Sequence, residues 1–311
     1  MPAVGGLEVN NAVKATPAKK SFGARLWKSM RQFPMVYLGA LIVLLLFITA
    51  LFAPYIAHAF SPGSLKGPDW QWNSGLNADG TPHAPSAKFI WGADELGRDV
   101  FTRVLYGSRV SLEVGIFASF ISLVIGTTLG LTAGYFGGFV DTVIMRFTDT
   151  VLAFPFILFA MALVAILGPS VVNVFIAIGV LGWGVMARVV RGQVLSVKEF
   201  EYVQAERALG ASAGRILFRV ILPNVLGPVM VLTTLSVGFN ILAEAALSFL
   251  GIGVRPPTPS WGSMISEGLQ TMNFAPWMLW APGLALLVAV LGFNLLGDGL
   301  RDILDPHSVT H

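Results

Sequence analysis

The 311-residue sequence contains no cysteine, and only 12% of its residues are charged. Without cysteine the chain has no disulfide, no thiolate metal site and no Cys nucleophile. In average soluble proteins about a quarter of the residues are charged. The low charge, together with 55% hydrophobic residues and a mean hydropathy of +0.73, indicates an integral membrane protein.

Patterns for metal binding, hydrolysis and ATP binding are also missing from the sequence. The four histidines, His58, His83, His307 and His311, are scattered without metal-ligand spacing. The apolar segments contain no Ser/His/Asp or paired-carboxylate arrangement, and the chain has no G-x-x-x-x-G-K-[ST] phosphate loop. We therefore expect a non-catalytic chain without a metal site, which needs another subunit if it is to use ATP.

Long apolar runs, separated by polar and Pro/Gly-rich segments, predict an all-α integral membrane protein with six transmembrane helices. Pro155 is expected to kink the third of these spans, since it has no amide hydrogen. The predicted spans are residues 35–57, 111–134, 143–167, 171–187, 225–250 and 277–296.

The distribution of basic residues predicts the orientation of the chain. Fourteen of the twenty Lys and Arg residues fall in segments that are inside if both termini are cytoplasmic. This orientation divides the chain into a cytoplasmic N-terminal tail (1–34), an extracytoplasmic segment (58–110) after the first span, a core domain (111–298) and a cytoplasmic C-terminal tail (299–311).

A charged segment, residues 196–224, separates the fourth and fifth spans on the predicted cytoplasmic side. Ser196 and Glu199 have the spacing of a capping box, which predicts that a helix starts there. Gly210 is placed to end this helix in a left-handed turn, and a second short helix can begin after Ser212. Charge and periodicity leave two interpretations open: an amphipathic loop on the membrane surface, or an element that contacts another protein.

The spacing within this segment resembles the EAA loop of permease subunits in ATP-binding-cassette (ABC) importers. In that loop EAA is followed by three residues, Gly, nine residues and I-x-L-P. Here Gln204 and Glu206 replace two letters of EAA, whereas Gly210 and Leu222-Pro223 keep their spacing. Pro223 is expected to stop or kink the helix that precedes it.

Four other segments are similar to oligopeptide and dipeptide permeases of the C type, so the resemblance covers residues 89–306. The first contains WGADELGRDVFTR, in which Ala93 stands where Thr is usual. The four segments are residues 91–103, 133–155, 245–265 and 293–306.

The resemblance implies the ABC type I importer permease fold with a cytoplasmic coupling helix, in a bacterial or archaeal cytoplasmic membrane. The expected partners are a second homologous permease subunit, two cytoplasmic ATPase subunits that bind ATP and Mg, an extracytoplasmic solute-binding protein and membrane lipid. No cofactor in this chain and no nucleic-acid partner are expected. Di- and oligopeptides are the expected cargo, and nickel chelates, glutathione and oligosaccharides are the alternatives within the family.

The resemblance also assigns a set of residues to ATPase coupling. Their numbers follow from the match to the EAA loop. They are Tyr202, Gln204, Ala205, Glu206, Arg207, Leu209, Gly210, Ala211, Leu222 and Pro223. A hypothesis from a different class is an ATP-independent secondary carrier or membrane receptor, in which this loop is only a surface anchor.

Ionisable and polar residues within the spans are candidates for the translocation path or its gate. Asn240 and Glu244 in the fifth span are the two that we single out. The alternative is that Glu244 pairs with Arg255 or Arg109 and has a structural role, because charges inside a membrane are generally paired.

Three further expectations concern charges and aromatic residues near the ends of the spans. Arg98 and Arg109 are expected at a solvated boundary. Arg146 and Asp149 are one helical turn apart and are expected to form an ion pair. Four tryptophans are expected as interfacial anchors: Trp91, Trp261, Trp277 and Trp280.

Overall fold

The computed structural model of the protein describes residues 34–61 and 67–304. Most of the predicted N-terminal tail, residues 62–66 and residues 305–311 lie outside the described residues. The helices are α1 (Pro34–Leu51), α2 (Ala53–Phe60), α3 (Val100–Phe136), α4 (Gly138–Ala153), α5 (Phe156–Leu167), α6 (Val171–Val197), α7 (Glu201–Ala208), α8 (Ala213–Phe249), α9 (Trp261–Gln270) and α10 (Trp277–Leu304). Within the described ranges there are isolated β-bridges but no strands.

The predicted all-α membrane fold is confirmed. Five helices are long and apolar enough to cross a membrane, namely α1, α3, α6, α8 and α10. A sixth span is formed if α4 and α5 are counted together, although they meet at an angle of 89°. Pro155 causes this break, because it holds Phe154 in an extended conformation with ψ 139°. The bend is much sharper than the kink expected from the sequence.

Several helices extend beyond the apolar runs by which they were predicted. Helix α3 begins at Val100 rather than near residue 111, and the side chain of Asp99 caps it by accepting from the amide of Thr102 at 3.0 Å. Helix α6 continues to Val197, and α10 continues to Leu304 within the predicted C-terminal tail. The 37 residues of α3 span about 55 Å, so this helix projects beyond a hydrocarbon layer of about 30 Å.

Helices α3 and α6 pack closely through small residues at four-residue intervals. A Cβ atom added at Gly126, Gly130 or Gly134 would lie within 2.5–2.7 Å of atoms of α6. Such close approach of two backbones is the usual way in which membrane helices associate, because apolar burial alone gives little advantage in lipid. The pair forms the centre of the bundle.

Residues 67–99, here called the cap segment, fold over one end of the bundle. The indole N–H of Trp277 donates to the carbonyl of Ala93 at 2.9 Å, and that of Trp261 donates to Val104 at 3.0 Å. Trp261 and Trp277 are buried, so their prediction as interfacial anchors is wrong. Each indole N–H finds a backbone acceptor, which makes burial of the ring favourable. The loop that joins α6 to α8 lies at the opposite end.

Candidate functional site

The loop between α6 and α8 contains one short helix, α7, that starts later than predicted. Ser196 and Glu199 do not form a capping box; Ser196 lies in the last turn of α6, where its hydroxyl donates to Gly192 at 3.4 Å. Helix α7 begins after Phe200, without a side-chain cap. The prediction failed because Val194 and Val197 are buried, and their packing extends α6 past Ser196.

The C-terminal turn of α7 has the predicted glycine geometry. Gly210 has φ +79°, and its amide donates to Arg207 at 3.0 Å. The amide of Ala211 donates to Glu206 at 3.1 Å, and these two bonds together form a Schellman motif. Ser212 then caps α8 by accepting from the amide of Arg215. The glycine turn and the helix that follows Ser212 are therefore confirmed.

Helix α7 is fixed to the bundle on one face and exposed on the other. Val203 is fully buried and packs in a cluster with Val197, Ile216 and other apolar residues of α6 and α8. In contrast, the side chain of Leu209 is 85% exposed, and that of Tyr202 is 44% exposed. The exposed face also includes Gln204, Ala205, Arg207 and Gly210, and Glu206 and Ala211 are half-buried beside it.

Two side chains connect this loop to the end of α3. Lys198 donates its ammonium to the carbonyl of Gly134 at 3.0 Å. The guanidinium of Arg207 lies over the ring of Tyr135, 5.4 Å from its centre. The carbonyl end of a helix attracts positive charge, so Lys198 is well placed there. The loop that carries α7 is thereby tied to α3 as well as to α6 and α8.

The two residues that differ from EAA make contacts within the loop. Gln204 donates its side-chain amide to the carbonyl of Glu199 at 3.1 Å. The carboxylate of Glu206 lies 3.6 Å from Nε of Arg215. Both contacts are exposed or partly exposed, so each contributes little to stability.

Leu222 and Pro223 lie within α8, which neither stops nor breaks there. Residues 216–221 are π-helical immediately before them, with hydrogen bonds of the wider i to i+5 type. This local widening allows the helix to pass a proline that has no amide to donate. The expected stop is therefore wrong: the helix continues past Pro223, and a π-helical segment precedes that residue.

Two ion pairs at the same end link the broken span to α6. Arg191 makes a two-point contact with Asp141 at 2.5 and 2.6 Å, and Arg188 contacts Asp149 at 2.6 Å. The predicted pair between Arg146 and Asp149 is wrong, because the neighbouring helix offers Asp149 a closer arginine. Spacing along one helix cannot reveal a partner on another.

Asn240 and Glu244 are buried against α3. Ser111 and Ser248 donate their hydroxyls to the Glu244 carboxylate at 3.0 and 2.6 Å, and Asn240 donates to Ser119 at 2.9 Å. Their exposed fractions are 0% for Glu244 and 2% for Asn240. Neither side chain borders an open path in this conformation.

The expected ion pairs of Glu244 are wrong for the described chain. Arg109 donates instead to the carbonyls of Ala50 and Leu51 at the end of α1, at 2.6 and 3.0 Å. No ion pair joins Glu244 to Arg255 among the described residues either. Serine hydroxyls satisfy this carboxylate, a solution that charge counting does not suggest.

A buried charge cluster joins the cap segment to α3 and α9. Nε of Arg98 lies 2.6 Å from Asp94. Arg103 is 1% exposed, and its guanidinium lies 3.3–3.6 Å from the carboxylates of Asp69, Asp94 and Glu267. Arg98 also approaches Glu267 at 3.5 Å and is buried, so its prediction as a solvated boundary residue is wrong. Burial raises the pKa of Glu267, and the charges of Arg103 and Arg98 act in the opposite direction.

These features define a multi-pass helical membrane protein with a short helix, α7, held against one end of its bundle. Residues 126–309 match the family model described as "Binding-protein-dependent transport system inner membrane component". The chain belongs to this family, and it is therefore an inner membrane component of a binding-protein-dependent transport system.

Two relatives extend the similarity to nearly the full chain. The chain is 43% identical over 280 residues to the dipeptide transport system permease protein DppC of Alkalihalophilus pseudofirmus, which covers 90% of this chain and 88% of the relative. It is also 43% identical to the glutathione transport system permease protein GsiD of Escherichia coli O6:K15:H31, with 90% and 89% covered. The resemblance to ABC importer permeases of the peptide family is confirmed.

Proposed function

We propose that this chain forms half of the translocation pathway of an ATP-driven importer for di- and oligopeptides. The observation that carries the proposal is α7, which is fixed by Val203 and the Gly210 turn and presents Leu209 and Tyr202 to solvent. The names of the two relatives, one for dipeptides and one for glutathione, favour small peptides as the class of cargo.

The exposed face of α7 would dock on one of two cytoplasmic ATPase subunits. Tyr202, Gln204, Ala205 and Leu209 would contact the ATPase, and Arg207 would link α7 to α3 through the ring of Tyr135. Gly210, Ala211, Leu222 and Pro223 would maintain the geometry, and Glu206 would brace the loop through Arg215. ATP and Mg would be bound by the ATPases, and this chain would hold no cofactor and act without catalysis of its own.

The remaining partners follow from the same proposal. Both termini would lie in the cytoplasm with α7, and the cap segment would lie outside, where an extracytoplasmic solute-binding protein delivers the cargo. A second homologous permease would supply the other half of the pathway. When the ATPases close, they would move α7, and Lys198, Arg207 and the Val203 cluster would transmit this motion to the bundle as a rigid body.

Leu209→Glu tests the docking function of α7. Because Leu209 is 85% exposed, the substitution should leave the fold intact while placing a charge in the contact with the ATPase. We expect the ATPase subunits to be lost when the tagged chain is purified in mild detergent. Leu96→Glu, on the exposed surface of the cap segment, is the matched control and should retain them.

Two results would refute the proposal. If Leu209→Glu retained the ATPases and coupled uptake, α7 would not be the docking element. If no ATPase accompanied the unsubstituted chain, an ATP-independent carrier or receptor would be favoured instead. The cargo is tested separately by measuring which of a dipeptide, an oligopeptide, glutathione, a nickel chelate or an oligosaccharide the partner solute-binding protein binds.

A further inference from the structure

Helix α8 has two opposite faces. One is buried, and the other, here called the uncovered face, is half-buried or exposed along its length. Asn240 and Glu244 lie on the face that packs against α3. The other face consists of residues that recur every three or four positions, as on one side of a helix. They are Pro228, Val231, Leu235, Phe239, Leu242 and Ala246, of which Phe239 is 53% and Leu242 49% exposed.

Three cavities follow this uncovered face of α8 from one end to the other. A cavity of about 510 Å³ adjoins Pro228 and Leu235 near Gln193 and Arg301. One of about 370 Å³ adjoins Leu242 and lies against α10, and one of about 420 Å³ adjoins Phe239 and Ala246 and lies against α5. From Pro228 to Ala246 the face is roughly 27 Å long, close to the thickness of a hydrocarbon layer.

One polar side chain distinguishes the middle of this surface. Asn294 of α10 lines the cavity of about 370 Å³, here called the central cavity. This side chain is exposed and has no hydrogen-bond partner in the described part of the chain. It lies beside Gly238 of α8, where an added Cβ would be 3.3 Å from the Asn294 oxygen. An amide that faces hydrocarbon without a partner is costly, so polar groups at this depth usually face water or protein.

Helix α1 shows what a lipid-facing surface of the same molecule looks like. Its exposed side chains are all apolar, in contrast to the uncovered surface between α8 and α10. They are Pro34, Met35, Leu38, Leu41, Leu44, Leu45, Phe47, Ile48 and Leu51.

We propose that the uncovered face of α8, between α5 and α10, is the pathway wall contributed by this subunit, and that Asn294 hydrogen-bonds to the peptide groups of the passing cargo. This inference rests on the proposed function and names the part of the chain that meets the cargo. A carboxamide both donates and accepts, as a peptide bond does. The central cavity is otherwise apolar and uncharged, so it accommodates peptides with different side chains.

The natural absence of cysteine allows a direct test in the complete transport complex. Asn294→Cys and Leu242→Cys are made separately and treated with a charged, membrane-impermeant thiol reagent on both sides of proteoliposomes, with and without ATP. In at least one nucleotide state, we expect both cysteines to react about tenfold faster than the cysteine of Leu44→Cys on α1. The reason is that charged reagents do not enter lipid. A transported dipeptide should slow the reaction.

Unreactive cysteines at residues 242 and 294 in both nucleotide states would overturn the inference, because this face would then lie against lipid or a protein partner. Asn294→Leu adds a functional readout, since we expect it to raise the KM for dipeptide uptake about fivefold. Asn294→Gln should keep a KM close to that of the unsubstituted complex. Unchanged KM in Asn294→Leu would also contradict the inference. ATP-dependent uptake by the unsubstituted complex shows independently whether the proposed function holds.

Discussion

Glu244 is a carboxylate inside the bundle whose partners are two hydroxyls rather than a cation. Because Ser111 lies on α3 and Ser248 on α8, this residue links the two helices. Ser248 also accepts from the amide of Val254 at 3.1 Å, which extends the link to the segment before α9. The geometry assigns Glu244 a structural role, and a contact with cargo would require the bundle to open.

Glu244→Gln should therefore affect stability more than transport selectivity. The amide replaces one acceptor oxygen with a donor, so one serine hydroxyl can no longer donate to residue 244, at a cost of about 1–3 kcal/mol. We expect a lower temperature of thermal unfolding for the purified complex, with equal residual uptake of cationic, neutral and anionic dipeptides. Glu113→Gln, an exposed position on α3, is the control. A selective loss of cationic peptide uptake would place Glu244 in the pathway.

At the scale of the element, the sequence predicts what is local. The Gly210 turn was predictable because a positive φ favours glycine and the Schellman motif involves only neighbouring residues. The capping box at Ser196 was not formed, because burial of Val194 and Val197 continues α6. Tertiary partners such as Arg188 for Asp149, or Ser111 for Glu244, are on other helices, and no spacing rule identifies them.

The cap segment is an element that hydropathy describes only as a polar stretch. Its order comes from Arg98 and Arg103, whose guanidinium groups are buried among Asp94, Asp69 and Glu267. The sequence signal was present in the alternating charges of residues 94–103, but solvation was the simpler expectation. Burial of charges is costly unless they are paired. Without Arg103, Arg98 alone would face Asp94 and Glu267, and Asp69 would lose its cation.

Arg103→Met should loosen the cap segment. Asp94 and Glu267 keep Arg98 while the partly exposed Asp69 loses its cation, so we expect a cost of about 1–3 kcal/mol. We expect faster proteolysis within residues 67–99 in detergent, whereas Glu95→Gln, which alters an exposed carboxylate of the same segment, should resemble the unsubstituted protein. Equal proteolysis rates for the two variants would show that the cluster does not hold the cap.

At the scale of the whole molecule, the number of spans was predictable and their assembly was not. Apolar runs predict six segments, and five continuous helices and one broken pair account for them. The 89° break and the uncovered face of α8 depend on how the helices pack together. That packing places α7 at one end of a body whose other end is the cap. The proposed docking on α7 and the proposed transmission of its motion to the bundle can therefore be tested separately.

Lys198→Met together with Arg207→Gln should separate those two properties. These side chains contact Gly134 and Tyr135 at the end of α3, whereas Leu209 is free to contact an ATPase. The loss of a charged hydrogen bond and a cation–π contact, about 2–4 kcal/mol together, would let α7 move without α3. We expect the ATPases to remain bound and to hydrolyse ATP, with less peptide imported per ATP. Arg219→Met, an exposed position on α8, is the control, and equal coupling ratios in the two variants would rule out transmission through α3.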